Sequence, residues 1–307
     1  MQRITTLGAL EDADLIARLK GAGLLIQAGP FVIRLRTRLS HIPLQLRFFY
    51  AEYPVHEADV IADFHVKLTG GSGLRRWWHP QVVFLLDGDR PFEPYPVSHA
   101  LPLFEWGVNW CIAMQAHQYL MLHAANIEKN GRVMLLPAWP GAGKSTLCAA
   151  LVCRGWRLFS DEFGLVQPEN GMMVPNPRPM PLKNQSIDVI REFAPKAVLG
   201  PEFHKTRKGT VAHLCPPAAS VARADEHAPP AWIVFPRYKE GADLTLEPIA
   251  KPHAFVKLTS NSFNYQLLGL QGFQTATRLV RTCQCYILNY SCLEDALTVL
   301  DELALSA

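Results

Sequence analysis

The spacing of apolar residues shifts along the chain, and each shift marks a different kind of element. Over residues 9–25 the apolar positions recur at helical spacing and stop at Gly21 and Gly23, which predicts a short amphipathic helix. Stretches rich in β-branched or aromatic residues then predict strands over 31–35, 45–50, 64–68 and 82–86. Thr69 to Gly73 and Asp87-Gly-Asp89 read as hairpin loops between them. Trp77 and Trp78, which follow Arg75 and Arg76, are expected to pack inside this region.

Helical spacing returns over 105–122, where Trp106, Trp110, Met114 and Leu120 predict a long, largely buried helix. Strands follow over 122–128 and 133–136, joined by Lys129-Asn-Gly131, a good hairpin turn. A glycine-rich loop, a helix over 145–154 and a strand over 156–160 come next, the order a nucleotide-binding core requires. Beyond Gln167 prolines crowd the chain, and this segment is expected to wrap the surface. An Ala/Pro-rich linker spans 216–230, a strand is expected over 231–235, and a helical tail from Phe263 to the end.

The expected fold class is α/β. A nucleotide-binding core over 104–307 follows a smaller, strand-led α+β domain over 1–103, and the hairpin at 129–131 makes the sheet mixed rather than purely parallel.

Composition narrows the function classes. Thirty Lys+Arg against 27 Asp+Glu leave a net charge of +3, so nucleic acid is not the expected partner. No apolar run approaches the roughly 18 residues of a membrane helix, and the N-terminus lacks a signal-peptide core, so a cytoplasmic protein with no membrane partner is expected. The 7 cysteines include no C-x-x-C pair, which fits reduced thiols better than disulfides or zinc.

The chemistry concentrates at Leu136-Pro-Ala-Trp-Pro-Gly-Ala-Gly-Lys-Ser-Thr-Leu147. Gly143-Lys144-Ser145 completes the phosphate-loop pattern G-x-x-x-x-G-K-[ST], with Ala138 where the first glycine is expected. Pro140, Gly141, Ala142, Gly143, Lys144, Ser145 and Thr146 would cradle the phosphates of a nucleotide. Lys144 would reach the β- and γ-phosphates, and the Ser145 hydroxyl would bind Mg²⁺. Asp161 and Glu162 follow a strand expected to lie beside the phosphate-loop strand after one crossover. Two adjacent carboxylates there allow one to sit near Mg²⁺ while the other accepts a hydroxyl proton. Lys183, Arg207, Lys208 and His213 are candidates for holding phosphate or an acidic peptide. A switch that binds nucleotide without transferring phosphate, and a kinase for a small molecule, are the rival readings.

These motifs resemble the HPr kinase/phosphorylase superfamily, and more specifically the HPr-kinase-related kinase A family. The resemblance runs from Leu122-His-Ala-Ala-Asn-Ile127 through the loop to Arg154-Gly-Trp-Arg-Leu-Phe-Ser-Asp-Glu-Phe163. Gly29-Pro-Phe-Val32, Glu105-Trp-Gly-Val-Asn-Trp110, Pro181-Leu-Lys-Asn184, Lys208-Gly-Thr-Val-Ala-His213 and Phe263-Asn-Tyr265 extend it over nearly the whole chain. It implies a P-loop kinase core of the HPr kinase/PEP carboxykinase type and phosphoryl transfer from ATP, with Mg²⁺, to a serine or threonine hydroxyl. Asp161 would be the base and Glu162 would sit near the metal. His123, which alone reads as a core histidine, would lie in the site. The E-I-R-G-L-G signature of HPr kinases is absent, and Pro181-Leu-Lys183 stands in roughly its place, so the acceptor and the reverse reaction stay open. Relatives in this family are often encoded beside PqqD-like peptide carriers, which implies a ribosomally made peptide as acceptor. The hexameric HPr kinases imply a homo-oligomer.

Overall fold

A computed structural model describes residues 5–57, 60–71, 78–139 and 141–305. The chain forms two units: Met1–Gln115 with Gly200–His213, and Ala116–Leu199 with Leu214–Ala307. Both are mixed α/β structures. Among the described residues no helix is long and apolar enough to cross a membrane.

In the first unit the strands are β1 (Thr5–Thr6), β2 (Leu24–Ala28), β3 (Phe31–Thr37), β4 (Pro54–His56), β5 (Phe64–Gly70), β6 (Gln81–Leu86) and β7 (Tyr95–Pro96). They form one sheet in the order β1-β4-β2-β3-β5-β6-β7, parallel only between β3 and β5 among the described pairs. Alternation along β5 buries Phe64, Val66 and Leu68 and exposes His65 and Lys67. The helices are α1 (Asp12–Lys20), α2 (Ile42–Tyr50) and α3 (Ala100–Gln115). The last packs so closely on β6 that a Cβ at Gly107 would stand 2.1 Å from the Phe84 ring.

Several expectations change here. Residues 45–50 are helical, because Ile42, Leu46, Phe49 and Tyr50 recur on one helix face and Pro43 sits in the first turn. The first helix ends at Lys20, and Leu24 already begins a strand. The long helix ends at Gln115 and belongs to the first unit, whereas the sequence division at 103/104 put it in the second. Trp78 is 84% exposed rather than packed. Trp77 lies outside the described residues.

The second unit opens with the hairpin β8 (Leu120–Lys129) and β9 (Arg132–Pro137). Asn130 and Gly131 both have positive φ, the two-residue turn expected from the sequence. Then come α4 (Lys144–Cys153), β10 (Arg157–Ser160), β11 (Phe163–Val166), β12 (Met173–Val174), β13 (Met180–Lys183) and α5 (Gln185–Phe193). The chain passes into the first unit for the antiparallel hairpin β14 (Phe203–Thr206) and β15 (Gly209–Leu214). It continues with α6 (Ala218–Ala222), β16 (Pro230–Tyr238), β17 (Thr245–Pro248), α7 (Lys251–Thr259), α8 (Tyr265–Thr282), β18 (Gln284–Tyr290) and α9 (Leu293–Leu305). The large sheet runs β12-β11-β8-β9-β16-β18-β17, with β10 on the same edge of β8 as β11. The tail is therefore not continuously helical. Its residues 284–290 form a strand parallel to β16, with Cys285 and Leu288 in the core.

The end of the hairpin nearest its turn carries a buried ion pair. Arg157 Nε lies 2.7 Å from Glu128 Oε2, with both side chains under 10% exposed. Glu128 also accepts the Gly131 N–H at 2.6 Å, and Arg157 Nη2 donates to the Glu226 carbonyl at 3.0 Å. Removing one partner strands the other charge in the interior. Glu128→Ala should lower unfolding stability by about 3–5 kcal/mol. Urea titration checks this, and a loss under about 1 kcal/mol, the range of an exposed pair, would show that Arg157 finds water instead.

Candidate functional site

The loop after β9 joins a parallel strand to a buried helix. Ala138 is buried, and Gly141 (φ 89°) and Gly143 (φ 84°) both adopt left-handed backbone. At Gly143 a Cβ would stand 2.4 Å from the Tyr290 hydroxyl and 3.0 Å from Tyr238 Cβ, so only glycine fits. The Tyr238 N–H donates to the Ala142 carbonyl at 3.3 Å, and the Ala142 N–H donates to Trp139 O at 3.2 Å. The ends of β16 and β18 thus brace the loop. Pro140 lies outside the described residues. Residues 147–152 of α4 are all buried, and the helix N-terminus carries Lys144, Ser145 and Thr146, where free N–H groups favour an anion.

The acidic pair arrives by a different route from the one expected. The strand before it, β10, pairs antiparallel with β8 and not with β9, whose parallel neighbour is β16. The hairpin explains this. One edge of β9 is already taken by β8, so β10 joins the far edge of β8. Since β8 is antiparallel to both, β10 runs parallel to β9 one strand away, and its C-terminal end emerges at the loop end of the sheet. An extra residue at Phe159, between the pairs Leu158↔Ile127 and Ser160↔Asn126, forms a bulge that re-aims the chain into the acidic pair. The Ser160 hydroxyl oxygen accepts the N–H groups of Glu162 (3.3 Å) and Phe163 (3.0 Å), setting the turn that carries Asp161. Phe163 then pairs with His123.

His123 is held from the opposite edge. There β9 has already ended, and the segment from Asn261 to Asn264 takes its place. The His123 N–H donates to Asn261 O at 2.7 Å, and Asn261 Nδ2 donates to His123 O at 3.0 Å. The Phe263 N–H donates to Met121 O at 2.9 Å, and Asn264 Oδ1 accepts the Met121 N–H at 2.9 Å. The Phe263 ring meets the His123 imidazole edge-on at 5.5 Å. So fixed, His123 Nε2 lies 3.4 Å from Glu162 Oε1.

The electrostatics separate the two acids. Lys144 is 8% exposed and Asp161 5%, and neither Lys144 Nζ nor Asp161 Oδ2 has a hydrogen-bond partner among the described residues. Burial pulls the Lys144 ammonium down, against the charges of Glu162 and Asp161. Burial and then the neighbouring Glu162 push the Asp161 carboxyl up to about 7, opposed by Lys144, Arg178 and Lys183. Burial alone would also raise Glu162. The hydrogen bond from His123, with the charges of Lys144, His123 and Lys183, outweighs it and holds Glu162 below the ordinary carboxylate range. An unpartnered buried ammonium suits a polyanion such as a nucleotide's phosphates. Among the described residues no cluster of three or more His, Cys, Asp or Glu could hold a metal alone. Mg²⁺ bound with a nucleotide needs only one or two protein ligands, and Ser145 with ionised Glu162 fits that set.

Lys183, exposed at the end of β13, adds its charge to the same group. Arg178, which the sequence reading passed over, also acts on Asp161. It sits in Pro175-Asn-Pro-Arg-Pro179, which is buried rather than wrapped over the surface. The Asn176 N–H donates to Phe159 O at 2.7 Å, so the segment docks at the bulge itself. Alternating prolines with a charged residue between them, a stiff extended rod, were the available signal. Arg207, Lys208 and His213 belong to the first unit. Arg207 lies over Tyr95 at 4.9 Å, Lys208 over Trp106 at 5.5 Å, and buried His213 packs edge-on to Phe49 and Phe203.

In comparisons with known proteins, no family model and no curated sequence matches the chain.

Because folding raises the affinity of Asp161 for its proton, the protonated acid favours the native state. That stability is complete below the unfolded value near 3.8 and lost as pH rises through about 7. Asp161→Asn should therefore raise the melting temperature at pH 8, with the gain fading towards pH 4. Thermal unfolding at both pH values checks it. Equal destabilisation at both would mean that the carboxylate serves packing rather than chemistry.

Proposed function

We propose that the second unit is an ATP-dependent kinase that transfers the γ-phosphoryl group to a serine or threonine hydroxyl of a peptide or protein. The observation that carries this reading is the buried, unpartnered Lys144 beside two adjacent carboxylates whose proton affinities are driven in opposite directions. An acid near 7 is matched to taking a proton from a hydroxyl at neutral pH. In this reading Asp161 accepts the proton of the acceptor hydroxyl as the phosphoryl group transfers. Lys144 balances charge on the β- and γ-phosphates, and the first-turn N–H groups of α4 hold the phosphates in line. Glu162 stays ionised beside His123, and with the Ser145 hydroxyl would hold Mg²⁺, which when bound neutralises phosphate charge. The resemblance to HPr-kinase-related kinases supports the same assignment. It further suggests a core of the HPr kinase type and a ribosomally made peptide acceptor presented with a PqqD-like carrier.

Label transfer in host-cell lysate tests the reading, with ATP carrying label at the γ- or the α-phosphate. Acid-stable γ-label should appear on a discrete peptide or protein and fall by about 10²-fold or more in Lys144→Ala and Asp161→Asn. With the acceptor in hand, kcat/KM should rise with pH to a plateau above about 7, because only ionised Asp161 can accept a proton. Label on a metabolite alone would sink the peptide acceptor and favour a small-molecule kinase. ATP binding with no transferred label would leave a nucleotide switch.

A further inference from the structure

The first unit contains a cavity that the proposed phosphoryl transfer does not use. It has a volume of about 610 Å³ and opens where α1, β3 and β5 end. Its walls carry four cations, Lys20, Arg36, Arg38 and Lys67, with Thr37 and Thr69 between them, and among the described residues no carboxylate lines it. None of the four makes an ion pair among the described residues. Arg36 donates from Nε to the Ala22 carbonyl at 3.0 Å, which anchors its stem and leaves the guanidinium's charge unmatched.

Two features make this more than a solvated basic surface. Arg36 and Lys67 are direct partners across the β3–β5 pairing. Like charges facing each other across a sheet oppose folding, and a strand pair has many neutral alternatives. The cavity also sits at the carboxyl ends of the one parallel strand pair described in this sheet, the end of parallel strands at which ligands gather in open α/β sheets. The arginines at 34, 36 and 38 recur with the strand period, so the pattern is written into the chain.

From this we infer that the first unit binds a compact anion carrying two or more phosphate groups, at a site separate from the phosphate loop. Phosphate is favoured over carboxylate by density of charge. Each phosphate monoester brings roughly −1.5 to −2, so two balance four cations, whereas about four carboxylates would have to crowd the same space. The volume falls in the range of small-molecule sites. Two guanidinium forks offer paired N–H donors to phosphate oxygens.

The anion could be a free small molecule or phosphate groups on a protein side chain, and calorimetry on the full chain separates the two. The probes are pyrophosphate and a peptide bearing two adjacent phosphoserines. Both are titrated into the Lys144→Ala protein so that the phosphate loop contributes least. One or both should bind, with affinity falling roughly tenfold or more when Arg36→Gln and Lys67→Gln are added. Arg38→Gln should show a smaller loss. Pyrophosphate binding assigns the site to free anions, and binding of the peptide alone assigns it to a phosphorylated protein. The double variant should melt no lower than its parent, since it removes a repulsion, so a lost signal cannot be put down to misfolding. If neither probe binds, or both bind the variant equally well, the inference is wrong. It is also wrong if a short DNA duplex binds more tightly than pyrophosphate and loses the same affinity, which would make the cavity part of a nucleic-acid track.

Discussion

Lys144 and Asp161 are buried within reach of each other's charge, yet among the described residues each keeps a polar atom without a hydrogen-bond partner. Leaving such an atom unpaired costs about 1–3 kcal/mol, and a flexible lysine would normally escape by extending to water. Here the escape is closed. Lys144 is the first residue of a helix buried over the next two turns, and the glycine before it is pinned by Tyr238 and Tyr290. Asp161 follows a bulge and a turn tied to the Ser160 hydroxyl. Around this pair the apolar sheet keeps water out, and the same exclusion separates the two carboxylates. Glu162 has a histidine to hold its charge, and Asp161 does not.

One strand makes this arrangement possible. β8 is paired along both edges, yet no partner runs its full length. On one edge β9 covers residues 124–129 and the Asn261 segment takes over at 121–123. On the other, β10 and β11 divide it at the acidic pair. The site lies where both edges change partners. A backbone that changes partners can aim side chains out of strict alternation, and the stretches on either side, fully paired, supply the rigidity. The Arg157–Glu128 pair stiffens the far end of the same strand, so the hairpin is fixed at the turn while its other end carries His123 beside Glu162.

How much of this was legible depends on the range of the signals. The Asn130-Gly131 hairpin, the glycine loop and the buried helix after it were readable because each is specified by residues next to one another. The neighbour of β10 was not, since which edge of a sheet is vacant depends on pairings far away in sequence. Residues 45–50 misled because aromatic richness signals a strand, while helical spacing and Pro43 signal a helix, and burial of one face decided between them. The 284–290 strand was hidden inside a run of apolar residues flanked by true helices, where periodicity over so few residues is ambiguous. Arg178 was missed because proline reads as a surface residue. In Pro175-Asn-Pro-Arg-Pro179 it instead makes a rod with few conformations to lose, which suits it to burial.

The two units leave positive charge unmatched in physically different ways. In the second, Lys144 is desolvated, so its charge is weakly screened and an arriving anion gains a strong interaction without displacing many salt ions. In the first, Arg36, Arg38 and Lys67 are exposed and hydrated, and their field fades over the roughly 8–10 Å of a physiological Debye length. Binding at the buried lysine should therefore depend on fit and on water exclusion, and only weakly on ionic strength. Binding at the exposed cluster should weaken steeply as salt rises, because the same cations attract any anion in solution. Arginine stays charged whatever its surroundings, whereas a buried lysine loses affinity for its proton. On the readings proposed above, the cluster is thus suited to capture an anion from solvent, and Lys144 to hold one already enclosed.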